Sequence, residues 1–347
     1  MEGLKDKNFK NKDCYQNCLK KDILEALPLN LRELFIHLPS EQTKDMEEIR
    51  LRVNKPLMIS CRNREYFISN KGKIVTNLSE SYMITKLDIE KAYQLITDYS
   101  IYALEEEIRS GFITLKGGHR VGICGTTVLE RHEIKTIKNI SGLNIRISKE
   151  KLGVSNKVMQ YLVEEGTFQN TLIVSPPQCG KTTLLRDIIR NLSNGMKKPN
   201  FLGFKVGVVD ERSEICGMYQ GIPQNDVGIK TDILNACPKA EGMMMLIRSM
   251  SPQIIATDEI GKAEDVYAME EALNAGIKLI TTVHGRNLEE IKRRKNLNDL
   301  LKQGVFDRII ILSNDPKVGT IKQIFHGKTN KIITADPLQD RRNEIVC

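Results

Sequence analysis

The segment SPPQCGKTT, residues 175–183, constrains the fold of this chain more than any other, because different and strong patterns flank it. The apolar run TLIVS comes just before it and is typical of a buried β-strand. The segment KTTLLRDIIRNL begins inside it and spaces its apolar residues as a helix does. A loop between a buried strand and a helix can direct backbone N–H groups and the helix N-terminus at one point, where a phosphate binds. The order strand, loop and helix therefore predicts an α/β domain with a phosphate-binding loop.

The residues of this loop differ in what each can offer a phosphate. Pro176 and Pro177 have no N–H group, so the donors must come from the residues after them. Gly180 permits close backbone approach, Lys181 reaches the β and γ phosphates, and the Thr182 hydroxyl is placed to bind Mg²⁺. The sequence thus predicts a working site for ATP and Mg²⁺ along one continuous stretch: Ser175, Pro176, Pro177, Gln178, Cys179, Gly180, Lys181, Thr182 and Thr183.

The first position of the loop departs from the usual motif G-x-x-x-x-G-K-[ST], since this chain has Ser175 in place of glycine. Glycine is needed only where the backbone takes a positive φ or where a side chain has no room. Ser175 precedes a proline, which favours extended backbone angles that any residue adopts. The serine is therefore compatible with a working loop.

Polar side chains end three other predicted strands, and the carboxyl ends of parallel strands are where such sheets bind ligands. Asp258 and Glu259 follow QIIAT. The aspartate could hold Mg²⁺ directly or through water, and the glutamate could orient or deprotonate an attacking water. Glu211 is a second candidate for the base, and His284 could contact the γ-phosphate. The residues alone leave open which glutamate is the base.

The pattern along the chain predicts two domains. Strands alternate with helices from residue 170 onward, which favours a mostly parallel sheet covered by helices, whereas the preceding part reads as a smaller α+β domain. In that part, Asp88 is expected to cap a helix that ends at Gly111. The expected bounds are a flexible basic arm at 1–18, the α+β N-terminal domain at 19–150, a linker helix at 151–169 (formed by residues 151–165), the α/β domain at 170–330 and a C-terminal tail at 331–347.

Composition narrows the setting in which the chain works. No apolar run approaches the roughly 20 residues of a membrane span, and the N-terminus lacks the apolar stretch of a signal peptide, so we expect a cytoplasmic protein. The cysteines are scattered, without the spacing of a zinc site, and are expected to be reduced thiols. They are Cys14, Cys18, Cys61, Cys124, Cys179, Cys216, Cys237 and Cys347.

Several segments together resemble a known group of proteins. SPPQCGKTT, the acidic strand end DER, LIRSMSPQIIATDE and TTVHGRN are similar to the RecA-like ATPases that power type II and type IV secretion and pilus systems. More closely, DERSEI, KTDILNACPKAEGMMMLIRSMSP, and GHRVGICG with NIRIS resemble the stage III sporulation AA family, over roughly residues 30–325. The resemblance implies a RecA-like core and a hexameric ring. It also implies an ATPase in the mother-cell cytoplasm of endospore formers, docked on a membrane channel complex between mother cell and forespore.

The same resemblance implies roles for individual residues. Asp258 occupies a position where many secretion relatives have glycine, so whether it binds Mg²⁺ directly or through water stays open. In the secretion relatives, arginines of the first domain reach the nucleotide, and either candidate in this chain could do so. The implied set is Lys181 and Thr182 on phosphate and Mg²⁺, Glu259 as the Walker B acid, Glu211 as a catalytic acid, His284 as the histidine-box residue, and Arg120 or Arg146 as the incoming arginine.

Two other functions are alternatives to a ring ATPase that drives a membrane machine. RecA-like cores also serve nucleic-acid motors and DNA-repair ATPases. Such a motor needs a basic groove with stacking aromatic residues, but the chain has no Trp and only 5% aromatic residues despite a net charge of +8, so no nucleic-acid partner is expected. A scaffold that binds nucleotide without hydrolysing it is the third hypothesis, and the presence of Lys181, Asp258 and Glu259 argues against it.

Overall fold

The computed structural model describes residues 21–62, 64–100 and 104–333. The basic arm predicted at 1–18 lies outside these residues, as does the predicted tail from residue 334 onward. The chain forms two compact units, Met1–Lys149 and Glu150–Cys347. Both contain helices and sheets, which confirms the mixed α/β class expected from the sequence.

The first unit is built on a seven-stranded sheet in the order β4-β3-β2-β1-β7-β6-β5, in which all neighbouring strands are antiparallel. Its core packs the apolar sides of the helices on this sheet. The strands are β1 Met46–Arg52, β2 Met58–Cys61, β3 Arg64–Ile68, β4 Ile74–Val75, β5 Phe112–Thr114, β6 Arg120–Glu130 and β7 Glu133–Arg146. The helices are α1 Lys21–Glu25, α2 Leu29–Ile36, α3 Ser40–Thr43, α4 Lys86–Ile96 and α5 Glu105–Arg109, with 3-10 turns at Leu78–Glu80 and Lys116–Gly118.

Helix α4 starts and stops differently from the sequence prediction. Thr85, not Asp88, is the N-cap: its hydroxyl accepts a hydrogen bond from the Asp88 N–H, and the Asp88 carboxylate accepts one from the Thr85 N–H. This reciprocal capping box satisfies two N–H groups that the helix leaves unpaired. The helix ends before Asp98 and Tyr99, whose positive φ values of 47° and 56° are incompatible with a right-handed helix. The single helix predicted to run on to Gly111 is therefore interrupted at these residues, and a separate short helix, α5, forms at Glu105–Arg109.

The second unit contains another seven-stranded sheet, ordered β14-β11-β15-β16-β10-β17-β18. Every neighbouring pair is parallel except β17 and β18. The strands of this unit are β8 Val163–Glu164, β9 Thr167–Phe168, β10 Thr171–Ser175, β11 Val206–Asp210, β12 Met218–Tyr219, β13 Ile222–Pro223, β14 Thr231–Asn235, β15 Ile254–Thr257, β16 Lys278–His284, β17 Arg308–Ser313 and β18 Thr320–His326. The helices are α6 Met159–Leu162, α7 Lys181–Asn194, α8 Lys239–Ser249, α9 Ala263–Asn274, α10 Leu288–Lys292 and α11 Lys295–Lys302.

Helices cover both faces of this sheet and form two cores. Helices α6 and α7 pack on one face, whereas α8, α9, α10 and α11 pack on the other. Successive side chains of a strand point to opposite faces, so neighbouring residues divide between the two cores: Ile173 of β10 belongs to the α7 core, and Val174 belongs to the α8 core. The central strands are buried on both sides, which explains why they are almost wholly apolar.

The segment predicted as a linker helix folds differently. Of residues 151–165, only Met159–Leu162 is α-helical. The backbone N–H groups of Gly153 and Ser155 instead donate to the carboxylate of Asp187 on α7, at 3.0 and 2.7 Å. Gly153 also has a φ of +80°, which a right-handed helix does not allow. Turns anchored on Asp187 therefore replace the first part of the predicted helix.

Two remaining expectations concern the whole chain. Of the described cysteines, four are free thiols, namely Cys124, Cys179, Cys216 and Cys237, and Cys61 is buried. Cys14, Cys18 and Cys347 lie outside the described residues. Among the helices that the structure describes, none combines the length and apolar character needed to cross a bilayer.

Candidate functional site

The predicted phosphate loop lies between β10 and α7. Ser175 ends β10 in extended conformation, is fully buried, and donates a hydrogen bond through its hydroxyl to the Pro176 carbonyl at 2.8 Å. Gln178 has a φ of 60° and Gly180 has a φ of 82°, so the backbone turns sharply before Lys181 begins the helix. Only glycine adopts the second of these conformations without strain, whereas Ser175 requires no glycine. The loop therefore has the sharp turn into a helix N-terminus that binding an anion requires.

The other loop residues differ in exposure. Pro177 and Gln178 are exposed, whereas Cys179 is buried with its thiol 3.5 Å from the Pro177 carbonyl oxygen. Thr182 and Thr183 are half-buried in the first turn of α7. The Thr182 hydroxyl is thus on the helix turn that also carries Lys181, as a ligand for a metal bound beside phosphate would be.

Lys181, Glu259 and His284 converge although they come from three different elements. The Lys181 Nζ lies 3.3 Å from His284 Nε2 and 3.8 Å from Glu259 Oε2, and the latter two atoms are themselves 3.3 Å apart. The parallel register explains the contact, because β16 places His284 beside Ser175 at the end of β10. Burial lowers the pKa of Lys181, and the nearby carboxylates of Glu259 and Asp258 oppose that shift. The cluster holds a desolvated ammonium at the helix N-terminus, next to a carboxylate and an imidazole.

A second ionic cluster joins the other two predicted acids. Lys239, the first residue of α8, forms ion pairs with Glu211 and with Asp258, whose Oδ1 lies 3.2 Å from the ammonium. Burial raises the pKa of Asp258 to about 6, and Lys239 opposes the rise. Burial also disfavours the charge of Lys239, but pairing with Glu211 and Asp258 outweighs this and raises its pKa. Sequence reasoning missed Lys239; the only signal was a lysine placed at the start of a predicted helix.

Asp210, the neighbour of Glu211, has a structural role in the turn after β11. Its carboxylate accepts hydrogen bonds from the N–H groups of Glu214, Ile215 and Cys216, at 2.8 to 3.0 Å. Burial raises its pKa, and these N–H donors oppose the shift. Because the turn is fixed by Asp210, the next residue, Glu211, leaves the sheet at a defined point.

Two buried polar atoms near the end of β16 have no hydrogen-bond partner: Thr282 Oγ1 and His284 Nδ1. Such atoms are uncommon in folded proteins and are expected where a ligand or ion completes the site. Every second residue of a strand points to the same face of the sheet, so Thr282 and His284 share the face of Ile280, which packs in the α7 core. The phosphate loop leads into α7 on this face. The polar groups therefore fit a polar ligand at this edge of the sheet.

The same groups can be tested against Mg²⁺. In the described residues, no group of three or more His, Cys, Asp or Glu side chains could hold a metal by itself. Mg²⁺ beside a nucleotide needs only one or two protein oxygens, because phosphates and water supply the others. The Thr182 hydroxyl and the Asp258 carboxylate are oxygen donors of this kind, so the residues fit the ion that the sequence predicts.

The two predicted arginines belong to the first unit. Arg120 and Arg146 are directly opposite each other in the β6–β7 pair. The Arg120 guanidinium lies 3.5 Å from the centroid of the Phe112 ring, a cation–π contact, and Arg146 is exposed. Both side chains therefore stand on one face of an antiparallel sheet.

The fold is shared with a solved motor protein. The crystal structure of the pilus retraction motor PilT with bound ADP matches with a TM-score of 0.51, over 78% of this chain and 75% of that chain. The two sequences are 14% identical, so the likeness shows the fold alone. The chain thus has the mixed α/β architecture of a pilus motor.

Sequence comparison gives the family. The family model described as sporulation stage III, protein AA, matches residues 17–332, and the chain belongs to this family. Stage III sporulation protein AA of Bacillus subtilis (strain 168) is 41% identical over 309 residues, which cover 89% of this chain and 96% of the relative. The uncharacterized protein ycf45 of Porphyra purpurea is 29% identical over 238 residues, which cover 66% of this chain and 39% of the relative. The resemblance noted in the sequence is thereby confirmed.

Proposed function

We propose that this sporulation-family protein is a RecA-like P-loop ATPase that hydrolyses ATP at the loop of residues 175–183. The observation that carries the proposal is the convergence of Lys181, Glu259 and His284 at the N-terminus of α7, with Nζ to Oε2 at 3.8 Å and Nζ to Nε2 at 3.3 Å. A buried ammonium at a helix N-terminus is suited to a phosphate, and a carboxylate beside it is suited to an attacking water.

The residues would divide the work of phosphoryl transfer. The backbone N–H groups of residues 178–183 and the Lys181 ammonium hold the phosphates, and Glu259 orients the attacking water and accepts its proton. His284 contacts the γ-phosphate and so senses its presence, since the imidazole ring lies within 3.3 Å of both the Lys181 ammonium and the Glu259 carboxylate. Thr182 and Asp258 would hold Mg²⁺, which supplies positive charge to the transferring oxygens.

The cellular role in the proposal follows the family and the fold. Membership of the sporulation stage III AA family and the architecture shared with a pilus retraction motor support a ring, a hexamer, that powers or assembles a membrane channel complex during endospore formation. The protein would work in the mother-cell cytoplasm, bound peripherally to membrane proteins of that complex. These partners, the oligomer and the location are parts of the proposal.

The decisive experiment replaces the loop lysine. Lys181→Ala is expected to reduce phosphate release from MgATP by about 10² or more, because the transition state loses an oriented charge. Circular dichroism should show that the variant stays folded, and Lys295→Ala, which removes an exposed lysine from the start of α11, is the matched control. Near-native turnover in Lys181→Ala would contradict the proposed site.

The same assay separates the transport role from a nucleic-acid motor. We expect turnover to be insensitive to single-stranded DNA and RNA, because the sequence of the second domain does not interleave basic residues with stacking aromatics. Affinity purification of the native protein from its own cells in mild detergent should co-purify membrane channel proteins. Strong stimulation by nucleic acid would favour the DNA or RNA motor instead.

A further inference from the structure

Lys239 is an unusual residue in its position. It is 9% exposed, and lysine is rarely so buried unless it is paired. It is also the first residue of α8, where the positive end of the helix dipole disfavours a cation. Neither burial nor helix formation therefore favours a lysine at this position. The contacts of its ammonium do.

The ammonium lies between two carboxylates from neighbouring strands. Glu211 follows β11 and Asp258 follows β15, and both pair with the same Nζ. Two carboxylates at adjacent strand ends would repel each other in this partly desolvated place. The lysine removes that repulsion and restricts the rotamers of both acids at once.

The packing of α8 fixes where this ammonium can be. Gly242, one turn further along the helix, lies so close to β11 that an added Cβ would be 2.6 Å from Val209 Cγ1. The helix can approach the strand that closely only because this residue is glycine. Since Val209 is two residues before Glu211, the close approach sets the distance from the start of α8 to the acid.

We propose that Lys239 is a positioning residue for ATP hydrolysis: it holds Glu211 and Asp258 in place beside the phosphate loop and acts on the reaction only through them. This inference rests on the proposed ATPase activity. A positioning residue affects the chemical step more than substrate binding, because a displacement of about 1 Å can cost on the order of 10² in rate.

The test measures steady-state hydrolysis of MgATP by the full-length chain. Lys239→Met keeps the length of the apolar stem and removes the charge; we expect kcat to fall by about 10- to 100-fold with KM changed by less than about threefold. Lys239→Arg, which can still bridge two carboxylates, should recover most of the loss. Lys295→Met, at the exposed start of α11, is the matched control and should behave as wild type.

A double variant decides whether the lysine acts through Glu211. If it does, adding Lys239→Met to Glu211→Gln should lower kcat much less than it does in the wild type. Independent, multiplicative effects of Lys239→Met with Glu211→Gln and likewise with Asp258→Asn, or an unchanged kcat in Lys239→Met, would overturn the inference while leaving the ATPase proposal intact. If Lys239→Met fails to fold, Lys239→Gln, which keeps a polar end and removes the charge, gives the same comparison alone and together with Glu211→Gln. A wild-type chain with no Lys181-dependent turnover would overturn both proposals.

Discussion

At the scale of single residues, each of the two candidate glutamates has its own lysine. Glu259 is within 3.8 Å of Lys181 on the phosphate loop, whereas Glu211 is paired with Lys239 on α8. A carboxylate that contacts the loop lysine is better placed to reach a water beside the γ-phosphate. Glu211 accepts a hydrogen bond from the Lys239 ammonium, whereas the 3.8 Å between Lys181 and Glu259 is too long for one, so Glu211 is the less free of the two to accept a proton. We therefore propose Glu259 rather than Glu211 as the base.

We accordingly predict that Glu259→Gln binds MgATP but hydrolyses it very slowly, because it keeps the shape of the side chain and loses the proton acceptor. Glu211→Gln should be impaired less. Binding of a fluorescent ATP analogue and single-turnover phosphate release would measure the two steps separately. The roles are reversed if Glu211→Gln is inactive while Glu259→Gln keeps normal turnover.

Some of this site could be predicted from the sequence and some could not. Lys181, Glu259 and His284 each follow or precede an apolar strand, and parallel strands bring such ends together, so the pattern alone predicted their meeting. The sequence did not predict the pairing of Lys239 with Glu211. That contact depends on how closely α8 packs against the sheet at Gly242. This distance is set by the tertiary structure, and no local sequence pattern indicates it.

At the scale of elements, the first turns of the second unit are tied to α7 by one carboxylate. Asp187 is buried, accepts from the N–H groups of Gly153 and Ser155, and pairs with Arg190 at 2.7 Å. Burial opposes its ionisation, but the hydrogen bonds outweigh burial and lower its pKa. The charged form of Asp187 therefore stabilises the folded second unit.

We predict that Asp187→Asn lowers the free energy of unfolding of this unit by about 1–3 kcal/mol at pH 7, since a buried charged acceptor is lost. The folded pKa is below the unfolded value of about 3.9, so the contribution is full above about pH 4 and is lost as the pH falls through the folded pKa. Urea unfolding from pH 7 to pH 3 would measure it. Asp299→Asn on α11, an exposed position, is the control, and a loss that persists equally at pH 3 would contradict the assignment.

The strands were easier to predict than the connections between them. The strands β10, β11, β15, β16 and β17 can be predicted from their apolar runs, because strands buried on both faces are continuously apolar. The edge strands β14 and β18 have no such run, since each is half-buried and mixed in polarity. The predicted helix over 151–165 was wrong because its apolar spacing says nothing of Asp187, which lies more than 20 residues further along the chain and captures its N–H groups.

At the scale of the whole molecule, the first unit places two arginines side by side on one face of its sheet. Arg120 and Arg146 are directly opposite in an antiparallel pair, where like charges destabilise a sheet. Phe112 holds the Arg120 guanidinium, and Glu48 is opposite Arg146 on its other side. A rigid sheet that presents two arginines on one face is suited to meeting phosphate.

We therefore predict that ATP hydrolysis requires these arginines and an assembled ring. The double variant Arg120→Ala, Arg146→Ala should lose about 10³–10⁵ in kcat, the range measured where an arginine completes a phosphoryl-transfer site, while it still binds ATP. Specific activity of the wild type should rise with protein concentration as rings form, which light scattering can follow in the same samples. Arg64→Ala, an exposed arginine on β3 of the same sheet, is the control.

The alternative hypothesis is that both arginines only form ion pairs with surface acids, each of which contributes about 0–1 kcal/mol to stability. In that case the double variant would hydrolyse ATP at the wild-type rate, and activity per site would not depend on concentration. A fragment of residues 151–347 adds a third comparison, provided circular dichroism shows that it folds. Full activity of that fragment would place the whole catalytic apparatus in the second unit, and the assembled-site hypothesis would be wrong.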